Sequence, residues 1–221
     1  MNTVLSFRHV NELILPIEYK NDDVRFSDDL ASFFIKNFSR QGDVVFDPFA
    51  GFGTTLYVSE KLGRKGYGIE YLPGRVNYIQ SIIQNKENII CGSALEIDKI
   101  NLPVIDFSIT SPSYMSKNNH EEYPFAAYEI TGANYAQYLI DVKNVYSQLK
   151  LKLKPNAFAI IEISNIIKDG ILTTLAWDVA KSVSEVLTLE KEIIINWESD
   201  KKSEKYGYGF DHSYCLVFKN T

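Results

Sequence analysis

The chain has 221 residues, of which 45% are hydrophobic and 23% charged, as is usual for a soluble globular protein of about one domain. The net charge of −5 and the pI of about 5.3 argue against a broadly basic nucleic-acid-binding protein, but not against a local basic patch. Residues 1–30 carry charges throughout, and no apolar run reaches the roughly 18 residues that span a bilayer. We therefore expect a cytoplasmic protein without a membrane segment. Cys91 and Cys215 form no CxxC pair, so we expect buried free thiols and no metal site.

Short apolar runs alternate with helical patterns along the chain, which is typical of an α/β fold with a doubly wound, mostly parallel sheet. Seven strands are predicted, at residues 43–46, 65–70, 88–91, 105–110, 157–163, 189–197 and 212–219. Five helices are predicted, at residues 28–38, 54–62, 73–85, 135–153 and 171–187. Residues 115–133 and 198–211 are predicted as substrate loops of a single domain spanning residues 1–221, because loops of that length in a compact domain are usually functional.

The first two predicted strands end in residues suited to binding a ligand. In an open α/β sheet, ligands bind beyond the carboxyl ends of the strands. There the first strand runs into the loop Asp47–Thr55, which reads D-P-F-A-G-F-G-T-T, and the second ends at Glu70. The two glycines allow a tight turn and a close approach to a ligand, and the N–H groups of a helix N-terminus follow. A carboxylate at position 70 can accept hydrogen bonds from both hydroxyls of a ribose.

Two common nucleotide-binding loops do not fit these residues. A dinucleotide loop requires G-x-G-x-x-G, and the last of these positions is Leu56; the phosphate-loop pattern G-x-x-x-x-G-K-[ST] is absent. The Asp47 carboxylate would repel a pyrophosphate, whereas it suits the ammonium and sulfonium of S-adenosylmethionine. The alternative interpretation is that Asp47 only caps the following turn and that the glycines only permit it.

The fourth predicted strand runs into Ser111-Pro112-Ser113-Tyr114. The serine oxygen and the Pro112 carbonyl can each accept one N–H of an exocyclic amino group, which draws the nitrogen lone pair out of ring conjugation. That nitrogen can then attack a methyl sulfonium, while Tyr114 stacks on a flipped base. The alternative is a simple turn that ends the strand, because serine and proline are common in turns.

Together these pieces resemble the amino-methyltransferases that methylate N4 of cytosine or N6 of adenine in DNA. Their first motif, D-P-F-x-G-x-G-T, is matched from Asp47 to Thr54, and their catalytic motif, [DNS]-P-P-[YFW], at Ser111, Pro112 and Tyr114. The resemblance covers roughly residues 24–221. It implies a seven-stranded, Rossmann-like class I methyltransferase fold with an antiparallel last strand, S-adenosylmethionine as cofactor, and DNA methylation as in restriction–modification.

The resemblance also implies roles for individual residues. The catalytic residues would be Ser111, Pro112 and Tyr114. The cofactor-binding residues would be Phe26, Ser27, Asp47, Phe49, Gly51, Gly53, Thr54, Glu70 and Ser93. Ser93 stands where the family often has an aspartate near the adenine ring.

The chain departs from the family in two ways. Ser113 replaces the second proline of the catalytic motif, which leaves a freer backbone, and no obvious target-recognition domain is present. A serine at position 111 favours cytosine N4 over adenine N6. Methylation at C5 of cytosine is disfavoured because neither cysteine adjoins a proline. RNA or another amine as substrate stays open, as does a cofactor-binding subunit whose target recognition comes from a homodimer or a partner.

Overall fold

The computed structural model describes residues 2–22, 25–118, 123–126, 134–198 and 209–221. A central sheet of eight strands forms the middle layer, in the order β1-β9-β10-β6-β5-β2-β3-β4. Its strands are β1 (Val4–Arg8), β2 (Val44–Asp47), β3 (Lys65–Glu70), β4 (Ile89–Cys91), β5 (Ile105–Thr110), β6 (Leu153–Ile163), β9 (Thr188–Glu198) and β10 (His212–Lys219). The remaining two, β7 (Ile166–Lys168) and β8 (Ile171–Thr173), form a separate antiparallel hairpin.

Within the central sheet, β10 pairs antiparallel with both β6 and β9, and every other pairing is parallel. The predicted antiparallel last strand is therefore confirmed. The predicted number of strands is corrected from seven to eight, because β1 adds to the edge of the sheet beside β9. Its five residues alternate between exposed and partly buried positions, a pattern too short to stand out in the sequence.

In the described part of the chain, five α-helices cover the two faces of the sheet: α1 (Asp28–Phe38), α2 (Thr54–Lys61), α3 (Pro73–Ile82), α4 (Tyr135–Lys152) and α5 (Leu175–Ser184). The alternation of side chains along β2 shows how they divide. Val44 and Phe46 pack in the core that contains α4 and α5, whereas Val45 packs in the core that contains α1. Helices on both faces make the fold doubly wound, as predicted.

The predicted helix at 171–187 is wrong in its first turn. Residues Ile171–Thr173 form β8, and α5 begins only at Leu175. The turn of the hairpin is Asp169-Gly170, with φ of 53° and 75°. Positive φ at both positions is the mark of a type I′ turn, for which Asp-Gly is a preferred sequence. This dipeptide is the signal that the helical interpretation overlooked.

Parts of the two predicted substrate loops lie outside the described residues, namely 119–122, 127–133 and 199–208. The start of the first loop is attached to the hairpin, because the Lys117 N–H donates to Thr173 Oγ1 over 2.9 Å.

Cys215 is buried as expected, but Cys91 is exposed at the end of β4, so the expectation that both thiols are buried is corrected. No helix in the described part of the chain is long and apolar enough to cross a membrane.

Candidate functional site

Asp47, the last residue of β2, closes the loop that follows it. Its carboxylate is 1% exposed. Oδ1 accepts a hydrogen bond from the Phe49 N–H over 2.9 Å, and Oδ2 accepts one from Thr55 Oγ1 over 2.6 Å. Asp47 therefore joins the start of the loop to the first turn of α2. Burial raises the pKa of this carboxyl to about 6, while the nearby Thr110 and Thr55 hydroxyls and the Phe49 N–H lower it by favouring the charged form.

The two glycines of the loop have different tasks. Both adopt the left-handed conformation, with φ of 56° at Gly51 and 83° at Gly53. A Cβ on Gly53 would lie 2.9 Å from Cγ1 of Ile79 in α3, so this position also needs glycine for packing. A Cβ on Gly51 would meet only the Phe49 carbonyl oxygen, at 3.9 Å. The chain thus leaves open space over Gly51, where a ligand can approach the backbone.

Helix α2 begins without a side-chain cap, because its N-cap residue is Gly53. The N–H groups of its first turn are positioned to bind the anionic part of a ligand. Leu56, in that first turn, packs against two glycines of β3. A Cβ would lie 2.8 Å from Leu56 Cα if built on Gly66 and 2.7 Å from Leu56 Cδ1 if built on Gly68. The close helix–strand contact that a dinucleotide loop obtains from its third glycine comes here from the strand.

Glu70 ends β3 beside this loop and is 8% exposed. Its Oε2 accepts the Gly51 N–H and its Oε1 accepts the Leu72 N–H, both over 2.9 Å. Each carboxylate oxygen has two lone pairs, so one on each oxygen is left for a ligand such as a diol. Burial raises the pKa of Glu70, against the hydrogen bond from the Leu72 N–H and the positive charge of Arg75.

Two other predicted cofactor-binding residues serve as helix caps. Ser27 is fully buried, and its Oγ accepts hydrogen bonds from the N–H groups of Asp29 and Leu30 at the start of α1. Ser93 Oγ accepts the Leu95 N–H over 3.2 Å at the start of a short 3₁₀ helix.

The remaining residues that were predicted to bind the cofactor are held in place by packing. Phe26 is buried beside α1, Thr54 is buried at the start of α2, and Phe49 meets Phe125 edge-on at 5.6 Å.

The catalytic motif predicted at Ser111–Tyr114 follows β5 directly and is held from two sides. Pro112 is buried, and Ser111 and Tyr114 are partly buried. From α4, the Tyr138 hydroxyl donates to the Ser113 carbonyl oxygen over 3.0 Å. On the other side, Tyr114 Oη lies 3.5 Å from Oε2 of Glu162 in β6. Tyr123, which follows the motif in the chain, is buried in the same core as Tyr135 and Tyr138 of α4.

The order of the strands places the predicted residues in one row. Neighbours β5, β2, β3 and β4 are parallel, so Ser111, Asp47, Glu70 and Ser93 all lie at or just beyond the same carboxyl edge. Thr55 Oγ1 links two of these strands, β2 and β5, because it reaches both the Asp47 carboxylate and the Ile109 carbonyl oxygen, the latter at 3.5 Å. The structure thus brings the loop and the catalytic motif together at adjacent strand ends.

Sequence reasoning missed Glu162. This residue lies within β6 and is fully buried, in a run that reads Ile160-Ile161-Glu162-Ile163. Burial raises the pKa of its carboxyl, while the nearby Ser213, Ser111 and Tyr114 hydroxyls and the charge of His9 lower it. An acid in the middle of an apolar strand was the available signal, since such residues are seldom fully buried without a partner.

Comparison with known sequences supports the family resemblance. The family model described as DNA methylase matches residues 13–81. The type II methyltransferase M.BamHI of Bacillus amyloliquefaciens is 49% identical over 49 residues, which cover 22% of this chain and 11% of that protein. The matched stretch is thus a small part of that relative. The resemblance to DNA amino-methyltransferases is confirmed for the part of the chain that carries the first motif.

Comparison with solved structures covers most of the chain. TrmN from Thermus thermophilus matches with a TM-score of 0.61 and 12% identity, over 89% of this chain and 49% of that one. A TehB-like SAM-dependent methyltransferase from Corynebacterium glutamicum matches with a TM-score of 0.56 and 15% identity, over 92% of this chain and 93% of that one. The fold is therefore the Rossmann-like fold of class I S-adenosylmethionine-dependent methyltransferases, as predicted.

The cofactor of this fold and of the matched family is S-adenosylmethionine, and the residues at the strand ends fit it. Glu70 keeps a lone pair on each oxygen for the ribose hydroxyls. The uncapped start of α2 suits the carboxylate of the methionine part, and Asp47 gives the loop a negative charge near its cationic groups. The space above Gly51 lets the ligand lie against the backbone.

Proposed function

We propose that this chain transfers a methyl group from S-adenosylmethionine to an exocyclic amino group of a DNA base, with N4 of cytosine as the leading target. The observation that carries the proposal is the position of Ser111–Tyr114 beside the cofactor loop, at adjacent and parallel strand ends. The match to the DNA methylase family supports DNA as the substrate. It covers residues 13–81, which include the cofactor loop but not Ser111–Tyr114. A role in restriction–modification belongs to the same proposal.

Each residue of the site has a task in this reaction. When bound, S-adenosylmethionine supplies a methyl group on a positively charged sulfur. Glu70 holds the ribose, and the N–H groups of α2 hold the methionine carboxylate. Ser111 Oγ and the Pro112 carbonyl accept the two N–H groups of the base and orient its nitrogen. The Tyr114 ring stacks on the flipped base and keeps it out of the duplex.

Ser113 is compatible with this activity despite the lost proline. A proline there would restrict the backbone by fixing φ. In this structure the Tyr138 hydroxyl restrains the same peptide by donating to the Ser113 carbonyl oxygen over 3.0 Å. A tyrosine on a neighbouring helix thus replaces a restraint that the family builds into the motif itself.

The choice of base rests on Ser111, since the family more often has serine in cytosine-N4 enzymes and Asp or Asn in adenine enzymes. Adenine N6 is the alternative within the same chemistry. A different substrate class, RNA or a free or protein-borne amine, is the second function; the net charge of −5 argues against broad binding of duplex DNA. A third function is that of a cofactor-binding subunit that gains its target recognition, and hence its activity, from a homodimer or a partner chain.

One competition experiment separates these functions. The purified chain is incubated with labelled S-adenosylmethionine and equal amounts of unmethylated duplex DNA and RNA, and the nucleosides of each are then analysed. We expect label in the DNA as N4-methylcytosine, and none with Ser111→Ala. Cofactor binding with no label in DNA would overturn the proposal; label in RNA would favour the second function, and label only after adding a cell extract the third.

A further inference from the structure

Glu162 lies next to Ser111 by the register of the sheet. Strands β5 and β6 run parallel with Thr110 opposite Ile161, so the next pair along both strands is Ser111 and Glu162. On its other side Glu162 is opposite Cys215 of β10. Ile109 and Ile160, two pairs before, share the core that contains α1, so the side chains of Ser111 and Glu162 belong to that same face.

The fully buried Glu162 carboxyl is surrounded by hydroxyl groups. Tyr114 Oη approaches Oε2 at the long limit of a hydrogen bond, 3.5 Å, and the Ser213 and Ser111 hydroxyls stabilise the charged form. Among the described residues, Oε1 has no partner with hydrogen-bond geometry. A buried polar atom left in this way is destabilising, because it has lost its hydrogen bonds to water. The strand therefore carries an acid at a place where an apolar residue would be more stabilising.

Two other titratable groups interact electrostatically with this carboxyl: His9, and Cys215 on the neighbouring strand β10. His9, just after β1, acts on it through its charge and lowers its pKa. Cys215 on β10 is itself held as a thiol, because burial and the Glu162 charge raise its pKa well above the usual value. Glu162 is thus the acid in this cluster, and burial raises the pKa of its carboxyl above the ordinary value.

Serine creates a requirement at position 111 that Asp or Asn would not create. A hydroxyl has one proton and two lone pairs. For Ser111 to accept an N–H of the base amine in a fixed geometry, its own proton must point to another acceptor. The carboxyl group opposite it in β6 is such an acceptor. Asp or Asn has an acceptor oxygen without this condition.

We propose that Glu162 is a positioning residue that accepts the Ser111 hydroxyl proton. As a hydrogen-bond acceptor it makes Ser111 an acceptor for the base amine, and as a base it takes up the proton that the amine loses through Ser111. This role rests on the proposed function. With Glu162 as its acceptor, Ser111 can accept the base amine in the way that Asp or Asn does in related motifs.

The proton and electron balance of the step is complete without another reactant. The nitrogen lone pair forms the N–C bond while the C–S bond breaks and its electron pair stays on sulfur. The nitrogen, now positively charged, gives a proton to Ser111 Oγ, and Ser111 gives its own proton to Glu162. Glu162 returns to the carboxylate by releasing this proton to water after the product leaves.

The first test measures the link between the two side chains without any substrate. The pKa of the Glu162 carboxyl is followed by NMR with ¹³C-labelled glutamate in the wild-type chain and in Ser111→Ala, with the resonance assigned by its loss in Glu162→Gln. We expect a higher pKa in Ser111→Ala, because a donor to the charged form has been removed. An unchanged pKa would overturn the proposal whether or not the chain methylates DNA.

The second test measures catalysis with four variants: Glu162→Gln, Ser111→Asn, the double variant, and Glu192→Gln on the exposed part of β9 as the matched control. We expect Glu162→Gln to lower kcat on the order of 10²-fold, as for loss of a general base, with KM and cofactor Kd changed by less than about twofold. The acidic limb of the kcat pH profile should disappear. The control should leave all of these values unchanged.

The Ser111→Asn background makes this test independent of folding defects. An asparagine at this position has no hydroxyl proton to give away, so adding Glu162→Gln to Ser111→Asn should change kcat by less than about twofold. An equal loss of kcat in both backgrounds would show that Glu162 acts only through stability, and it would overturn the proposal. If the wild-type chain does not methylate DNA, the proposed function is refuted. The NMR test needs no substrate, so it still decides whether Ser111 and Glu162 are linked.

Discussion

The cofactor loop and the catalytic motif lie side by side, but they are held in different ways. In the loop Asp47–Thr55, carboxylates accept backbone N–H groups, and glycines occupy left-handed positions against neighbouring elements. The motif Ser111–Tyr114 is held by side chains from elsewhere in the chain, the Tyr138 hydroxyl and the Glu162 carboxyl. The cofactor region is therefore held largely through its own backbone, by residues 47–79, whereas the acceptor region depends on side chains farther along the chain.

The largest effect is expected for Asp47→Ala. This change removes the acceptor for the Phe49 N–H and the Thr55 hydroxyl together with the negative charge near the cofactor. We expect the cofactor Kd to rise by about 10²-fold, measured by calorimetry, since a hydrogen bond to a charged group contributes about 1.5–3 kcal/mol and two such bonds that shape the loop are lost. Asp47→Asn keeps an acceptor oxygen but loses the charge, so its cofactor Kd should lie between those of the wild-type chain and Asp47→Ala.

The pH dependence of cofactor binding tests the same residue. With a pKa of about 6, the Asp47 carboxyl becomes protonated as the pH falls through 6, and the attraction for the cationic cofactor is then lost. Affinity should therefore decrease below about pH 6 and level off above it. In Asp47→Asn the part of this dependence that comes from position 47 should vanish. An identical pH profile in both proteins would contradict the assignment.

The second effect separates the two regions. Ser111→Ala should lower kcat by about 10²-fold, the size expected when one preorganised hydrogen bond to the reacting group is removed. Its cofactor Kd should stay within about twofold of wild type. A large change in Kd, or an unchanged kcat, would show that Ser111 is not the acceptor-side residue that we propose.

A third effect compares two glycines with nearly the same backbone. Gly42 and Gly53 have φ of 84° and 83°, but a Cβ on Gly42 meets nothing within 4 Å, whereas one on Gly53 meets Ile79 at 2.9 Å. Each alanine substitution should cost about 1–2 kcal/mol of stability from backbone strain. Only Gly53→Ala should raise the cofactor Kd, by about tenfold. Equal Kd values for the two variants would remove Gly53 from the site.

The smallest effect is expected for Ser113→Pro. Because the Tyr138 hydroxyl already restrains this peptide, proline should change kcat by less than about threefold, in keeping with the roughly 0.4–1 kcal/mol that a compatible proline contributes. In the Tyr138→Phe background the same proline should restore part of the lost rate. A tenfold gain from proline in the wild-type chain would show that the motif is loosely held.

The contrast between the regions also explains what the sequence could predict. The fold class and the row of strand ends follow from local patterns, because each strand and its ending residue are neighbours in the chain. The antiparallel β10 is implied by the family resemblance. Glu162 and Tyr138 could not be assigned, since their roles depend on strand register and helix packing. Ser27 and Ser93 are helix caps in the structure, a role that composition and spacing did not distinguish from direct cofactor contact.

The errors in the fold have equally local causes. The hairpin β7–β8 is missed because its two strands are only three residues long, too short to show the alternation of a strand. The edge strand β1 is five residues long and half-exposed, so its sequence resembles that of a loop. Both lie outside the row of strand ends, which is why these errors do not affect the prediction of the site.

The most direct test of the central claim is sequencing with base-modification detection on DNA from cells that express the wild-type chain or Ser111→Ala. We predict N4-methylcytosine at a defined sequence context in the wild-type DNA and unmodified cytosine at the same positions with Ser111→Ala. Unmodified DNA from cells in which the wild-type chain is folded and binds S-adenosylmethionine would contradict the claim that this chain alone methylates a DNA base.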